Sequence, residues 1–352
     1  MDLGNQRRGE ITLAEIRQQP ETWRETLRRV RDSALGALPP AVITGAGTSA
    51  YAAMAVEAAW PGSRAVPSTE LFLDFEGVLA GISLVVSLAR SGDSPESVAV
   101  VDKIERRLPD VRHIALTTNP NGKLANRPGV TAVLLDPRSN DRSLAMTSSF
   151  SNLVLAGYCL ARLREVEDAL PALCDGAVEI LDRHAATALR LAENPPARVV
   201  ALASQALFGA ARETCLKILE MTAGRIATLA ETYLGVRHGP MSFLEPDSLV
   251  LCFLSSDARL RRYEMDLVNE LRAKNIGRLI ALGPADADSA AFEIAISTAA
   301  SSLADYLRTP ADIVFPQLLA HSLSMRLGMN PDSPSPGGVI HRVVQGVRIY
   351  ED

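Results

Sequence analysis

The chain lacks a basic tract, an apolar run approaching the ~20 residues that cross a bilayer, and any grouped metal ligands. Each absence excludes a class. Lys and Arg number 36 against 41 Asp and Glu, so the net charge is −5 and nothing in the balance supports nucleic-acid binding. No segment reads as membrane-spanning, and the polar, charged residues 1–10 are unlike a secretory leader. Cys159, Cys174, Cys215 and Cys252 are scattered, which predicts buried free thiols in a reducing cytoplasm. The five histidines include no H-x-x-x-H pair, so no metal site is expected. What is present is an ordinary globular balance, 47% hydrophobic and 22% charged, over 352 residues, a length that fits two domains.

Patterning gives the class. Residues 12–35 read as a helix, with Ile16, Trp23, Leu27 and Val30 near helical spacing before Pro39-Pro40. Short apolar strands at 41–44, 65–67, 82–89, 112–117 and 131–135 then alternate with helical stretches such as 97–107. That alternation predicts an α/β unit with a parallel sheet covered by helices on both faces. Helices at 149–163 and about 170–192 follow. After Asn194-Pro195-Pro196 the plan repeats at an offset of about 160 residues, with strands at 198–203, 248–254, 278–282 and 292–296 and a helix opening at Pro316. The tail, 330–352, is dense in proline and glycine and reads as an ordered turn leading into a short strand at Val343-Val344.

Two strand-to-helix corners in the first unit carry hydroxyls. The strand at 82–89 ends in Arg90-Ser91-Gly92-Asp93-Ser94-Pro95-Glu96-Ser97, and Pro95 suits the first turn of a helix. A helix start leaves N–H groups unpaired and carries partial positive charge, so the three serines make a cradle for an anion, phosphate above all. A helix cap without a ligand is the plainer alternative. The strand at 41–44 ends in Gly45-Ala46-Gly47-Thr48-Ser49-Ala50. As G-x-G-x-x-A, with Glu70 near the distance of a ribose-binding acid, it also invites a dinucleotide. The hydroxyls of Thr48 and Ser49 favour a single terminal phosphate held from two sides. In the second unit the matching glycine-hydroxyl loops are eroded, so only the first is expected to hold phosphate.

Chemistry concentrates further on. Glu213, Lys217 and Glu220 fall at i, i+4 and i+7 in a helical stretch over 209–224, and so share one face. An exposed salt-bridged face is one reading. Small and apolar neighbours (Ala210, Ala211, Leu216, Ile218, Leu219) favour the other, a carboxylate with raised pKa acting as a base. Arg237-His238-Gly239-Pro240 holds a histidine in a constrained loop, where imidazole can move protons near neutral pH.

These segments, with Asp141-Arg142-Ser143-Leu144-Ala145-Met146-Thr147-Ser148-Ser149, resemble the sugar isomerase (SIS) superfamily over nearly the whole chain after the N-terminal helix. The chain is similar to the isomerase half of glucosamine-6-phosphate synthase, and more so to the tagatose-6-phosphate ketose/aldose isomerase family, also described as galactosamine-6-phosphate deaminase/isomerase. The resemblance implies two tandem SIS domains, each a parallel sheet flanked by helices in a flavodoxin-like αβα sandwich. It divides the chain into an N-terminal helical segment, 1–35, a phosphate-binding domain, 36–192, a second domain, 193–330, and a tail, 331–352, folding over the site.

Ser49, Ser91 and Ser94 resemble its phosphate-binding hydroxyls, with Gly47 and Thr48 in the same loop. Arg90 stands where the synthase has glutamine, and Ala89 where it has a serine, so arginine is expected to compensate for a missing hydroxyl. Glu220 resembles the base that moves a proton between C1 and C2, with Lys217 and Glu213 as its charged neighbours. His238 resembles the histidine that opens the sugar ring, reaching the site from the partner subunit of a homodimer. Leu144, Thr147 and Ser148 fall in the loop around the sugar, and Arg342 aligns with a tail lysine. The implied activity is aldose/ketose isomerisation or aminosugar deamination of a hexose or hexosamine 6-phosphate, needing no cofactor because carbonyl and imine groups supply the electron sink. A non-catalytic sugar-phosphate-binding regulatory SIS protein and a nicotinamide dehydrogenase are the competing classes. An appended helix-turn-helix pattern, expected of the regulator, is missing.

Overall fold

The computed structural model describes residues 8–285, 288–344 and 346–350. The leader reading of residues 1–10 therefore falls mostly on 1–7, outside the described residues. Two five-stranded parallel sheets carry the chain. The first joins β1 (Val42–Gly45), β2 (Arg64–Pro67), β3 (Leu84–Ala89), β4 (Arg112–Thr117) and β5 (Val130–Leu134) in the order β2-β1-β3-β4-β5. The second joins β6 (Arg198–Ala203), β7 (Ala227–Thr232), β8 (Leu249–Phe253), β9 (Arg278–Leu282) and β10 (Ile294–Ile296), and its order β10-β9-β8-β6-β7 is the same read from the other edge. The central strands β3 and β8 are buried along their whole length, as their near-continuous apolar runs require of strands covered on both faces.

The helices lie outside the sheets. α1 (Glu10–Arg17) and α2 (Gln19–Asp32) precede the first sheet, and α3 (Thr48–Ala59), α4 (Ser68–Leu73), α5 (Phe75–Leu79) and α6 (Pro95–Arg107) connect its strands. The long α7 (Ser148–Glu179), a π turn and α8 (Ala185–Ala192) cross to the second unit. There α9 (Phe208–Met221), α10 (Ala258–Ala273), α11 (Asp305–Asp312) and α12 (Val314–Arg326) complete the layers. One core serves both units: Val56 of α3, Phe150 and Leu153 of α7, and Ala210 and Ala211 of α9 belong to a single buried cluster. Inside it runs a satisfied polar seam. Trp23 donates to Ser151 Oγ at 2.9 Å, and Thr26 donates to Asn152 Oδ1 at 2.6 Å.

Four sequence expectations need correction. The helix over 12–35 is two helices, because Pro20 lacks an N–H and suits the first turn of a new helix, α2. The helix read at 149–163 belongs to α7, which breaks at Arg162, whose φ of −150° and ψ of 52° leave the helical region. The helix read at 170–192 starts earlier, as the second piece of α7 with Pro171 inside it, and runs on through the π turn into α8. β7 went unread because it is an edge strand, nowhere fully buried, and shows little apolar alternation. No strand forms at Val343-Val344, since this part of the tail pairs with no sheet edge.

The four cysteines are free and buried. Among the described residues, no helix is long and apolar enough to cross a membrane, and no group of three or more acidic, histidine or cysteine side chains is placed to hold a metal.

Candidate active site

In the first sheet the chain leaves β1 toward one edge, to β2, and β3 begins the walk toward the other. The crevice between the ends of β1 and β3 is thus a topological switch point, where α/β sheets bind ligands. Both hydroxyl corners are there. Gly47 adopts φ 56° and ψ −126°, a conformation open to glycine alone, and turns the chain from β1 into α3. No side chain caps α3, and the hydroxyl of Ser94 does not cap α6 either, so both helix starts keep donors for a ligand. Ser91 Oγ accepts from Asp93 N–H at 3.2 Å, which fixes the turn.

A cavity of about 250 Å³ opens on these corners. Gly47, Thr48, Ser49, Arg90, Ser91 and Ser94 line it, together with Leu144, Met146 and tail residues Ile340, His341, Arg342, Val343 and Val344. Glu220, from the second unit, lines it too. It arrives there because α9 lies directly on α3. A Cβ placed on Gly209 would sit 2.9 Å from Ala55 N and from Tyr51 O, so the two backbones meet at a glycine.

That contact brings the charged face of α9 to the start of α3. Glu213 and Lys217 are fully buried, and Glu220 is 29% exposed, toward the cavity. Lys217 Nζ lies 3.4 Å from Glu213 Oε1, donates to Thr48 Oγ1 at 3.0 Å and forms a short ion pair with Glu220 Oε2. Thr48 Oγ1 in turn donates to Glu213 Oε1 at 3.3 Å. Burial pushes the Glu213 carboxyl up to about 8, Lys217 opposing that rise and Glu220 adding to it. Burial alone would lower the Lys217 pKa, but attraction to Glu213 and Glu220 outweighs it and holds the ammonium charged. The expectation of a raised pKa thus attaches to Glu213, the carboxyl behind Lys217.

Arg90 has a second occupation. Its guanidinium donates to the carbonyls of Ser143 (3.1 Å), Leu144 (3.0 Å) and Arg342 (2.8 Å). It therefore clamps the serine corner to the loop before α7 and to the tail. Burial, with Arg342 alongside, lowers its pKa to about 10, so the charge survives at neutral pH. Arg342 answers with its Nε on Asp141 O at 2.8 Å and its Nη2 on Asn140 Oδ1 at 2.5 Å.

Thr147 and Ser148 are buried away from the cavity lining. Asp141 accepts their N–H groups at 2.8 and 3.1 Å, and that of Ser149 at 2.8 Å, which holds the start of α7. His238 is exposed on the loop after β7 and does not line the cavity of its own chain. Two carboxyls went unassigned in the sequence. Asp141 carries a legible cue, an acid ahead of a serine-rich helix start. Glu15 carries none. It comes from α1 to accept from Arg142 N–H at 2.5 Å and Ser143 N–H at 3.2 Å, and burial, with Asp141 nearby, pushes it up to about 7.

Against known proteins, no family model matches. D-galactosamine-6-phosphate deaminase AgaS of Escherichia coli is 34% identical, over 97% of this chain and 96% of that protein. The enzyme of the same name from Shewanella sp. (strain ANA-3) is 34% identical, over 96% of this chain and 91% of its own. This chain belongs to the AgaS family of SIS proteins. The structure of tagatose-6-phosphate ketose/aldose isomerase from Escherichia coli superposes on the new AgaS-family chain with a TM-score of 0.82 at 30% identity, covering 95% of this chain and 96% of that one. The C-terminal domain of glucosamine-fructose-6-phosphate aminotransferase from Francisella tularensis shares the fold at a TM-score of 0.76 and 18% identity, over 95% of this chain and all of that one (100%).

Proposed function

We propose that this AgaS-family chain is an aminosugar 6-phosphate deaminase/isomerase, with D-galactosamine 6-phosphate as the substrate that its relatives' names support. The observation that carries the reading is the shared cavity, which Glu220 lines together with Ser49, Ser91 and Ser94. The two helix starts and three hydroxyls hold the 6-phosphate. With the phosphate anchored there, C1 and C2 of an open-chain sugar come to the Glu220 carboxylate.

Glu220 removes the proton on C2 and returns it to C1. The C2–H bond breaks, an enolamine forms, and a new C1–H bond leaves an imine at C2. Water adds to that imine and ammonia departs, giving the ketose phosphate. Lys217, charged and hydrogen-bonded to Glu220, holds the carboxylate in place, and Thr48 and Glu213 fix Lys217 in turn. A buried three-residue relay ending in a cavity-facing carboxylate supports catalysis over mere sugar-phosphate sensing.

His238 opens the ring from the partner subunit of a homodimer; its exposure, outside the cavity of its own chain, supports that placement. Buried free cysteines support a reducing, cytoplasmic compartment.

Thermal shifts with galactosamine 6-phosphate, glucosamine 6-phosphate and NAD test the reading. Stabilisation by the aminosugar phosphates is expected. Stabilisation by NAD alone would overturn it in favour of a dehydrogenase.

A further inference from the structure

The second sheet repeats the switch point of the first, between β6 and β8. β8 runs into the corner Ser255-Ser256-Asp257 and then into the 16-residue α10, as β3 runs through Ser91 and Ser94 into α6. The first corner opens on a cavity. The second is filled by the chain's own carboxylate, that of Asp305 at the start of α11.

The contacts on that carboxylate are those of a bound oxyanion. Ser256 N–H donates to Asp305 Oδ1 at 2.8 Å, and Ser256 Oγ donates to the same oxygen at 3.0 Å. Ser255 Oγ donates to Oδ2 in a short hydrogen bond. The guanidinium of Arg308, which is fully buried, has Nη1 3.8 Å from Oδ1, while its Nη2 bonds Leu254 O at 2.8 Å and pairs with Asp312 Oδ2 at 3.1 Å. The other acids of the corner are engaged elsewhere. Asp257 caps α10 through the N–H groups of Arg259 and Leu260, and Glu264 accepts from Ser255 N–H at 2.8 Å.

We infer that the serine corner after β8 is a second oxyanion cradle, built for a phosphate- or carboxylate-class group and held closed by Asp305. Two hydroxyls and one amide form the donor set, with the buried guanidinium of Arg308, shared with Asp312, 3.8 Å away. A carboxylate tethered to α11 is present at a high effective concentration, so a free anion does not displace it. The wild-type chain therefore keeps this corner for itself, and the eroded glycine loop before α9 is matched by an internal ligand. The inference does not depend on what the first cavity binds.

Inorganic phosphate, titrated by calorimetry with chloride at matched ionic strength as control, is the probe. Asp305→Ser and Asp305→Gly remove the carboxylate, and serine also suits a helix start. Each variant should bind one more phosphate per chain than wild type, whatever number wild type binds. At a tenfold excess over Kd, its Tm should rise by about 2 °C more than that of wild type. Asp305→Asn, whose amide still fills the corner, should gain no site. A variant that folds only with phosphate present supports the cradle as well. A variant that folds in both salts with the wild-type count, or in neither, overturns it.

Discussion

Glu213, Lys217 and Glu220 were legible as one helix face from their spacing, and the small residues beside them argued that the face is buried. Their division of labour was not legible. Which carboxyl reaches the cavity depends on where α9 meets α3, and that contact lies between residues some 160 positions apart. Glu213, held near 8 by burial, keeps in the folded state a proton that the unfolded chain releases above its ordinary value of 4.5. The stability this contributes is complete below pH 4.5 and is lost as pH rises through about 8. Glu213→Gln is neutral throughout. Its Tm, followed by circular dichroism from about pH 6 to about pH 9, should fall less than that of wild type; an equal fall would show that Glu213 is ionised in the native protein.

Elements differ in how far sequence defines them. β4, β6 and β9 occupy the residues read for them, because each is an apolar run bounded by turns. The tail behaves otherwise. With no sheet edge to join, it is held by side chains: at its start Asp332 accepts from the N–H groups of Gly9 and Thr12, and further on Arg90 and Arg342 bond carbonyls and an amide far away in sequence. Arg90→Leu removes three charge-assisted contacts at once and should raise KM by roughly tenfold or more, since the clamp between the corner, the loop before α7 and the tail is gone. Unchanged KM in steady-state kinetics would mean the tail holds its place without it. At the α3–α9 crossing, Gly209→Val sets a branched side chain against backbone. A loss of about 1–3 kcal/mol in denaturant unfolding is expected, with reduced turnover because Lys217 shifts from Thr48.

At the scale of the whole molecule, one core joins two similar units that have diverged in task. The first keeps an open serine corner, and the second brings the charged face of α9 to it. If His238 serves the partner's site, then Glu220→Gln and His238→Ala chains mixed and reassembled one to one should recover about a quarter of wild-type turnover, because each mixed dimer contains one intact site. No recovery would mean that a single chain supplies both residues of a site. Most direct of all is Glu220→Gln alone, assayed for ammonia and ketose phosphate release from galactosamine 6-phosphate beside calorimetric binding of the same sugar. Turnover should fall by at least roughly a thousandfold while binding persists, because the serine corner is untouched. Full activity in that variant would contradict the assignment of Glu220 as the proton carrier.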